Sequence, residues 1–290
     1  MTYHLYLGDP GYSSWSLRGW LLFERFGLTA DLHWVDFLSD SVAAQLAPLA
    51  PARTVPTLRL PDGAIVSESL AIAEELATRN PGAGHWPADP AARATARNLA
   101  AEMHAGFTTL RSDCPMNLRT AYRDVPLSAD LEADLRRLEQ IWAHARATTG
   151  SDTPWLCGAY SAADAFFAPV AARVAGYGLD IFPEARAYVA AHLADPAFRR
   201  WRALAMARGN RLPWYDRDYP QTDWPGPTPL PARALQDGTA ENDVCPFSGK
   251  PVSDLAEIDG HCIGFCNPIC RDKAVADAAA WPQVMALLGS

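Results

Sequence analysis

The sequence lacks long apolar runs and has no excess of basic residues. No segment approaches the roughly 18 uninterrupted apolar residues that a membrane-spanning helix needs, and no basic stretch followed by an apolar run opens the chain. Lysine and arginine number 25 against 33 aspartate and glutamate residues, which gives a net charge of −8. We therefore expect a cytoplasmic protein whose partners include neither membranes nor nucleic acid.

Cysteine is also scarce, because six residues in a chain of 290 are too few for a disulfide scaffold. Their placement is uneven. Cys114 and Cys157 stand apart and are expected to be packing residues. The other four crowd one stretch near the end of the chain: Cys245, Cys262, Cys266 and Cys270.

The first 80 residues alternate strand-like and helix-like patterns, which predicts an α/β domain over 1–82. The Asp62-Gly63 pair between two short apolar runs is typical of the tip of a hairpin. We predict strands over 3–7, 32–37, 57–60 and 64–66, and helices from 17 to before Gly27, over 41–46 and over 69–78.

The pattern changes along the rest of the chain. Residues 88–208 are rich in alanine, leucine and arginine at helical spacing, which predicts an all-helical domain. Residues 209–240 contain six prolines and are predicted to be a linker whose aromatic residues lie against the folded body. Residues 241–290 form a small module with the clustered cysteines.

Three segments of the first domain suggest a ligand site. Tyr12 to Arg18 places serine hydroxyls where the first strand passes into the first helix, and such a hydroxyl caps the helix and faces an anion at its positive end. Val55-Pro56, before a strand, is a candidate cis peptide. Glu68-Ser69 opens the next helix with a carboxylate, a hydroxyl and free backbone amides, which suit the zwitterionic head of an amino acid.

Together these segments resemble the glutathione transferase superfamily in its serine-dependent, bacterial and zeta-like branches. The resemblance covers residues 1 to about 208 and implies a thioredoxin-like domain followed by an all-helical domain. Ser161-Ala162-Ala163-Asp164 resembles the capping box of the family's central helix, a structural motif. The family also implies a homodimer.

By position, Ser13 matches the residue that donates a hydrogen bond to the glutathione thiolate, and Ser14 is the alternative. A thiol with a pKa of about 8.5 is mostly protonated at neutral pH, so such a donor raises the thiolate fraction. The segment has no cysteine, which disfavours disulfide exchange. The resemblance further implies glutathione contacts from Arg53, Val55, Pro56, Glu68 and Ser69.

A small electrophile is expected to bind between the two domains. The residues considered for that pocket are Met103, His104, Phe107, Arg111 and Tyr122, although the pattern favours a plain surface His-Arg pair on one helical face for His104 and Arg111. The implied activity is transfer of an alkyl or aryl group to glutathione. A glutathione-dependent isomerase of the maleylacetoacetate type is the alternative within enzymes.

The cysteine module has a pattern of its own. Cys245-Pro246, a Gly249-Lys250 turn and a later Phe-Cys-x-x-x-Cys resemble TRASH/YHS-like treble-clef modules, which implies a Zn or Cu(I) site. Ser248 stands where a second knuckle cysteine would be, so Cys262 or His261 is the expected fourth ligand. A metal-binding or sensing protein on a transferase scaffold is therefore the hypothesis from another class, and a vestigial cap is the third possibility. The predicted metal ligands are Cys245, Cys262, Cys266 and Cys270.

Overall fold

A computed structural model of the protein describes residues 2–289. Its first domain is a four-stranded sheet of order β2-β1-β3-β4, in which β1 and β2 are parallel and the other pairs are antiparallel. This confirms the predicted thioredoxin-like α/β fold. The elements are β1 (Tyr3–Leu7), α1 (Ser14–Glu24), β2 (Ala30–Trp34), α2 (Val42–Gln45), β3 (Thr57–Arg59), β4 (Ile65–Val66) and α3 (Ser69–Arg79).

Strand β2 lies earlier in the chain than the predicted 32–37. Its register explains the difference: Tyr3 pairs with Ala30 and Leu7 with Trp34, so β1 fixes both ends of its partner. Helix α1 packs against the segment before β3, where a Cβ on Gly19 would lie 2.7 Å from Cβ of Pro56. Glycine at that position therefore allows the helix to approach the Val55-Pro56 peptide.

The second domain is helical, as predicted, and is built around α7. Nearly every residue of α7 is buried, and its first turn is held by a capping box in which Asp164 accepts a hydrogen bond from the Ser161 backbone N–H (2.9 Å). The helices are α4 (Pro90–Ala105), α5 (Thr108–Asp113), α6 (Ala129–Thr149), α7 (Ala162–Gly176), α8 (Pro183–Ala194) and α9 (Pro196–Ala207).

The proline-rich stretch 209–240 contains two short strands that the sequence did not predict. One, β6 (Gln221–Thr222), pairs with β5 (Ala121–Tyr122) inside the stretch expected to be wholly helical. The other, β7 (Ala232–Leu235), joins the sheet of the last module. Tyr219 and Trp224 pack against the main core as expected, whereas Trp214 is 57% exposed.

The last module consists of the antiparallel sheet β7-β8-β9 followed by α10 (Pro268–Ala276) and α11 (Pro282–Met285). Strands β8 (Asp254–Ile258) and β9 (His261–Phe265) form its hairpin. Its core includes Phe265 and Trp281 and reaches Ala203 of α9. The guanidinium of Arg199 on α9 donates to both carboxylate oxygens of Asp277 at 2.8 and 2.6 Å, which ties the module to the helical domain.

Within residues 2–289, no helix combines the length and the apolar character required to cross a membrane.

Candidate functional site

A cavity of about 710 Å³ opens between the first two domains. One wall comes from the start of α1, the segment before β3 and the start of α3. The opposite wall comes from α5, the residues after it and Arg173 of α7. All seven residues predicted for glutathione line this cavity: Ser13, Ser14, Arg53, Val55, Pro56, Glu68 and Ser69.

The two serines at the start of α1 differ in their hydrogen bonds. Ser13 is the N-cap, and its Oγ accepts from the Ser16 backbone N–H (3.3 Å) while donating to Ser16 Oγ (2.8 Å). Ser14 Oγ accepts from Nη2 of Arg173 (3.3 Å), so its own proton stays available. Both serines line the cavity at the positive end of a helix, but only the Ser14 proton is free of a partner within the protein.

The start of α3 is a second helix N-terminus on the same cavity. Glu68 is the N-cap residue, with a side chain 61% exposed. Ser69 is buried, and its Oγ has no hydrogen-bond partner. A buried hydroxyl without a partner is uncommon, and here it lies where a ligand carboxylate or ammonium would meet free backbone amides.

The segment between these two helices is held by short-range hydrogen bonds. Thr57 Oγ1 donates to the Thr54 carbonyl (2.7 Å), and Thr54 Oγ1 donates to the Ser67 carbonyl (3.2 Å). The Val55-Pro56 peptide is cis, as the sequence predicted. Val55 is half-buried at the cavity wall, and Arg53 is exposed at its rim.

The opposite wall differs from the predicted electrophile pocket. Met103 on α4, Phe107 between α4 and α5, and Tyr122 on β5 are buried in the main hydrophobic core. Of the five residues considered, only Arg111 lines the cavity. His104 lies beside Trp15, and its Nε2 is 3.7 Å from the Glu68 carboxylate. Burial, with help from two nearby arginines, lowers the pKa of His104.

The cysteine module brings three thiols together. The Sγ atoms of Cys245, Cys266 and Cys270 all lie within 4.8 Å of one another, and those of Cys266 and Cys270 are 3.9 Å apart. Zn–S bonds of about 2.3 Å in a tetrahedron place sulfur atoms about 3.8 Å apart, so the spacing suits a metal. Cys266 ends the hairpin, and Cys270 lies in the first turn of α10, whose N-cap is Asn267.

Electrostatics also distinguish these thiols. Burial raises the pKa of Cys245, but hydrogen bonds from the backbone of Phe247 and Cys266 and from Ser248 outweigh it and lower that pKa to about 7. Burial raises the pKa of Cys270 to about 11. The thiolate form of Cys245 is therefore stabilised by these hydrogen bonds.

The structure does not bring the other two predicted ligands into this group. Cys262 lies outside the three-thiol group, and its backbone N–H donates to Glu241 (2.8 Å). Nδ1 of His261 is 2.8 Å from the Glu241 carboxylate. Two other polar groups lie beside Cys266 Sγ instead: the Ser248 hydroxyl at 3.1 Å and Nδ2 of Asn267, which donates to the sulfur, at 3.2 Å. Cys262 lies inside β9, four residues before Cys266, and a strand rises about 3.3 Å per residue, so the two positions are about 13 Å apart along an extended chain.

Two site residues were not found from the sequence. Arg173 is far from the serines in sequence and lies in a helix whose composition predicts a buried structural element. No local sequence pattern connects it to the serines. The Ser248 position was seen only as a missing cysteine, although its spacing from Cys245 could have suggested a hydroxyl at the thiol group.

Comparison with known proteins agrees with this geometry. Residues 12–79 match the sequence model described as "Glutathione S-transferase, N-terminal domain". These residues, less than a quarter of the chain, are therefore similar to that domain. A probable maleylacetoacetate isomerase from Caenorhabditis elegans is 37% identical over 78 residues, which are 27% of this chain and 36% of that relative. The match thus spans little more than a third of the relative's length.

Solved structures extend the likeness beyond residues 12–79. A glutathione transferase homologue from Burkholderia gl BGR1, with bound glutathione, is 25% identical and aligns over 69% of this chain and 96% of its own, with a TM-score of 0.52. A sphingomonad glutathione S-transferase complexed with glutathione is 20% identical, with coverages of 70% and 98% and a TM-score of 0.52. The second likeness concerns the fold alone.

Proposed function

We propose that this protein is a glutathione transferase that activates the glutathione thiol with a serine hydroxyl for attack on a small electrophile. The observation that carries the proposal is the convergence of two helix N-termini, at Ser13 and at Ser69, on one cavity. The match of residues 12–79 to the transferase N-terminal domain supports it, as does a relative that was solved with bound glutathione.

Glutathione fits this cavity by its charges. Its γ-glutamyl carboxylate would meet Ser69 and the amides at the start of α3, which satisfies the hydroxyl that lacks a partner. Glu68 would pair with the ammonium group. Val55 and Pro56 would border the cysteinyl backbone, and Arg53 would pair with the glycine carboxylate.

The thiolate would lie at the start of α1. We assign the hydrogen bond to the thiolate to Ser13. The Ser13 hydroxyl now donates to Ser16 Oγ and would rotate away from it to donate to the thiolate. Ser16 Oγ would keep the hydrogen bond from the Gly8 backbone N–H (2.9 Å). Ser14, whose proton is not engaged, is the second candidate. One hydroxyl and a helix N-terminus suffice for a thiol pKa shift of about one to two units.

The reaction forms one bond and breaks one. The thiolate attacks the electrophilic carbon, a C–S bond forms, and the bond to the leaving group breaks so that the group departs with the electron pair. The thiol proton goes to solvent. An isomerase of the maleylacetoacetate type would use the same thiolate, adding it to a double bond and releasing it after rotation.

Two measurements test this proposal. Isothermal titration calorimetry should show binding of glutathione, and a chloronitroaryl substrate should be conjugated at a rate that Ser13→Ala lowers. Unchanged conjugation in Ser13→Ala would remove that serine from the assignment. Absence of both glutathione binding and conjugation in wild type would remove the transferase proposal itself. The homodimer implied by the family is checked by sedimentation equilibrium of the same sample.

A second candidate function rests on the three-thiol group. We propose that Cys245, Cys266 and Cys270 hold Zn or Cu(I), with the Ser248 hydroxyl beside the fourth position. The donor set fits, because soft thiolates are the ligands that both ions prefer. Such a metal would hold the turn that contains Cys245 and Ser248 against α10. One coordination position would remain for a further ligand.

The experiment is metal analysis of protein purified without chelators. Cys266→Ser should abolish metal binding, whereas Cys262→Ser should retain it and serves as the matched control. If Cys266→Ser also removed a metal-tolerance phenotype while Ser13→Ala changed nothing, metal handling and not transfer would be the protein's activity. Metal-free wild type would contradict the site.

A further inference from the structure

Three arginines, Arg18, Arg111 and Arg173, lie at or behind the cavity wall opposite Glu68 and Ser69. Arg173 is 4% exposed and lines the cavity. Its guanidinium donates only to neutral oxygens, those of Cys114 (2.9 Å), Pro169 (3.2 Å) and Ser14 (3.3 Å). Burial, together with the charge of Arg111, lowers the pKa of Arg173 to about 10.

Arg111 also lines this wall. Its guanidinium lies 4.7 Å from the ring centre of Trp15, and its hydrogen bonds to the carbonyls of His104 and Gly106 are long, at 3.5 Å each. Thr108 and Ser112, on the same helix, line the cavity beside it. The Arg111 guanidinium therefore makes only weak hydrogen bonds within the protein and can donate to a ligand.

Arg18 adds a third positive charge behind the wall. It is 1% exposed and lies between the rings of Trp15 (4.4 Å) and Phe166 (5.1 Å), and its Nε and Nη1 have no hydrogen-bond partner. Burial first, then Arg173 and Arg111, lower its pKa well below the ordinary value. The aromatic faces compensate only part of the cost of burying this charge.

No carboxylate balances these charges within residues 2–289. Other arginines of the protein pair with one, such as Arg137 with Glu102 and Arg199 with Asp277, but Arg18, Arg111 and Arg173 do not. Among the described residues that line the cavity, Glu68 alone is acidic; it lies at the opposite wall, 3.7 Å from His104. Buried guanidinium groups without a protein counter-ion are costly, and a bound anion offsets that cost.

We propose that Arg111 and Arg173 form an anion-binding subsite and that the electrophile taken by this enzyme carries a carboxylate. The inference rests on the proposed transferase function. The glutathione thiolate would account for one negative charge, next to Ser14 and Arg173. Arg111 then remains to bind a second anion, the carboxylate of the electrophile, and the Ser112 hydroxyl is a further donor. The rest of the electrophile would contact Trp15, Met116 and Tyr215.

A matched pair of substrates tests the proposal: 4-chloro-3,5-dinitrobenzoate and its methyl ester. In both, the C–S bond forms, the C–Cl bond breaks, chloride leaves with the electron pair and the thiol proton goes to solvent. We expect kcat/KM corrected for intrinsic reactivity to favour the acid by about tenfold or more, the size of a charge-assisted hydrogen bond. Arg111→Gln should bring the acid-to-ester ratio close to one, and Arg111→Lys should retain part of it.

The control is Arg123→Gln, an exposed arginine outside the cavity, which should keep the wild-type ratio. A wild-type ratio near one, or an equal loss for both substrates in Arg111→Gln, would overturn the inference while leaving the transferase proposal intact.

A second readout does not depend on turnover. Calorimetric titration with 2-naphthoate and with the neutral 2-naphthamide should show tighter binding of the acid, by about tenfold or more, and Arg111→Gln should remove the difference. If no electrophile were conjugated, the transferase proposal would fall, and this titration would still decide whether the cavity prefers anions. Equal affinity for the two compounds would overturn the subsite.

Discussion

Ser14 Oγ lies 3.3 Å from Nη2 of Arg173, a residue 159 positions later in the chain. Through this hydrogen bond the central helix of the helical domain places a positive charge at the N-terminus of α1 in the thioredoxin-like domain. Arg173 is itself fixed by the carbonyls of Cys114 and Pro169. The field around the proposed thiolate is therefore produced by both domains together.

Replacement of Arg173 should weaken thiolate formation. Arg173→Met removes a buried charge close to the serine pair, so the acid limb of the pH–rate profile for conjugation should move to higher pH by about one unit. Arg173→Lys keeps the charge and should shift it less. Circular dichroism must show that both variants are folded, and profiles that coincide with wild type would contradict the electrostatic role.

Ser69→Ala should separate binding from stability. Loss of the hydroxyl should weaken glutathione binding by about tenfold or more, since a hydrogen bond to a charged group contributes about 1.5–3 kcal/mol. The free energy of unfolding should not fall, because this buried Oγ has no partner in the protein.

Calorimetry and urea unfolding provide the two readouts for Ser69→Ala. Ser41→Ala is the control, since Ser41 caps α2 at the surface of the same domain (3.2 Å to the Ala44 backbone N–H) and does not itself line the cavity. It should lose stability and keep glutathione affinity. Wild-type affinity in Ser69→Ala would remove that residue from the binding site.

Acid should destabilise the protein in part through His192. Burial first, then the charge of Arg25, lower the pKa of this histidine to about 3. The unfolded chain takes up a proton below a pKa of about 6.5 and the folded chain does not, so this group removes stability as pH falls from about 6.5 towards about 3. Between pH 7.5 and pH 5 the loss should be about 2 kcal/mol.

His192→Phe keeps an aromatic ring among Trp155 and Tyr188 and should remove that part of the pH dependence. Urea unfolding at both pH values measures the difference. His144→Gln, at an exposed position, should retain the wild-type loss. If His192→Phe lost as much stability as wild type on acidification, the buried neutral histidine would not be the cause.

The contact between the last module and α9 should depend on one ion pair. Arg199 and Asp277 are 17% and 8% exposed, so Arg199→Ala leaves a carboxylate without its partner and should cost about 3–5 kcal/mol. The double variant Arg199→Ala/Asp277→Ala should cost less than Arg199→Ala with Asp277 retained. Limited proteolysis within 209–240 should be faster in Arg199→Ala. Equal rates would show that the apolar core and the hydrogen bond from Arg200 to the Ala280 carbonyl hold the module without this ion pair.

Local signals explain which parts of this fold were predictable. The N-cap at Ser13, the capping box at Ser161 and Asp164, and the Asp62-Gly63 hairpin depend on neighbours within a few residues, so the sequence is enough to place them. The strands β5, β6 and β7 are two to four residues long and form only because distant segments meet. Propensity carries almost no information about such pairings.

The candidate sites divide in the same way. The wall proposed to bind glutathione is built from three short motifs, and every residue that the sequence predicted for it lines the cavity. The opposite wall and the three-thiol group depend on tertiary geometry. Tyr122 is buried in the core where a pocket was expected, and Cys262 lies outside the three-thiol group although it is close to two of those cysteines in sequence.

The most direct test of the account is the pKa of the thiol of bound glutathione, followed by the ultraviolet absorbance of the thiolate. We predict that wild type lowers it by about one to two units from about 8.5, and that Ser13→Ala restores most of that value. Ser14→Ala should have the smaller effect. A bound thiol that titrates like the free one, or the same lowered pKa in wild type and both serine variants, would contradict the account.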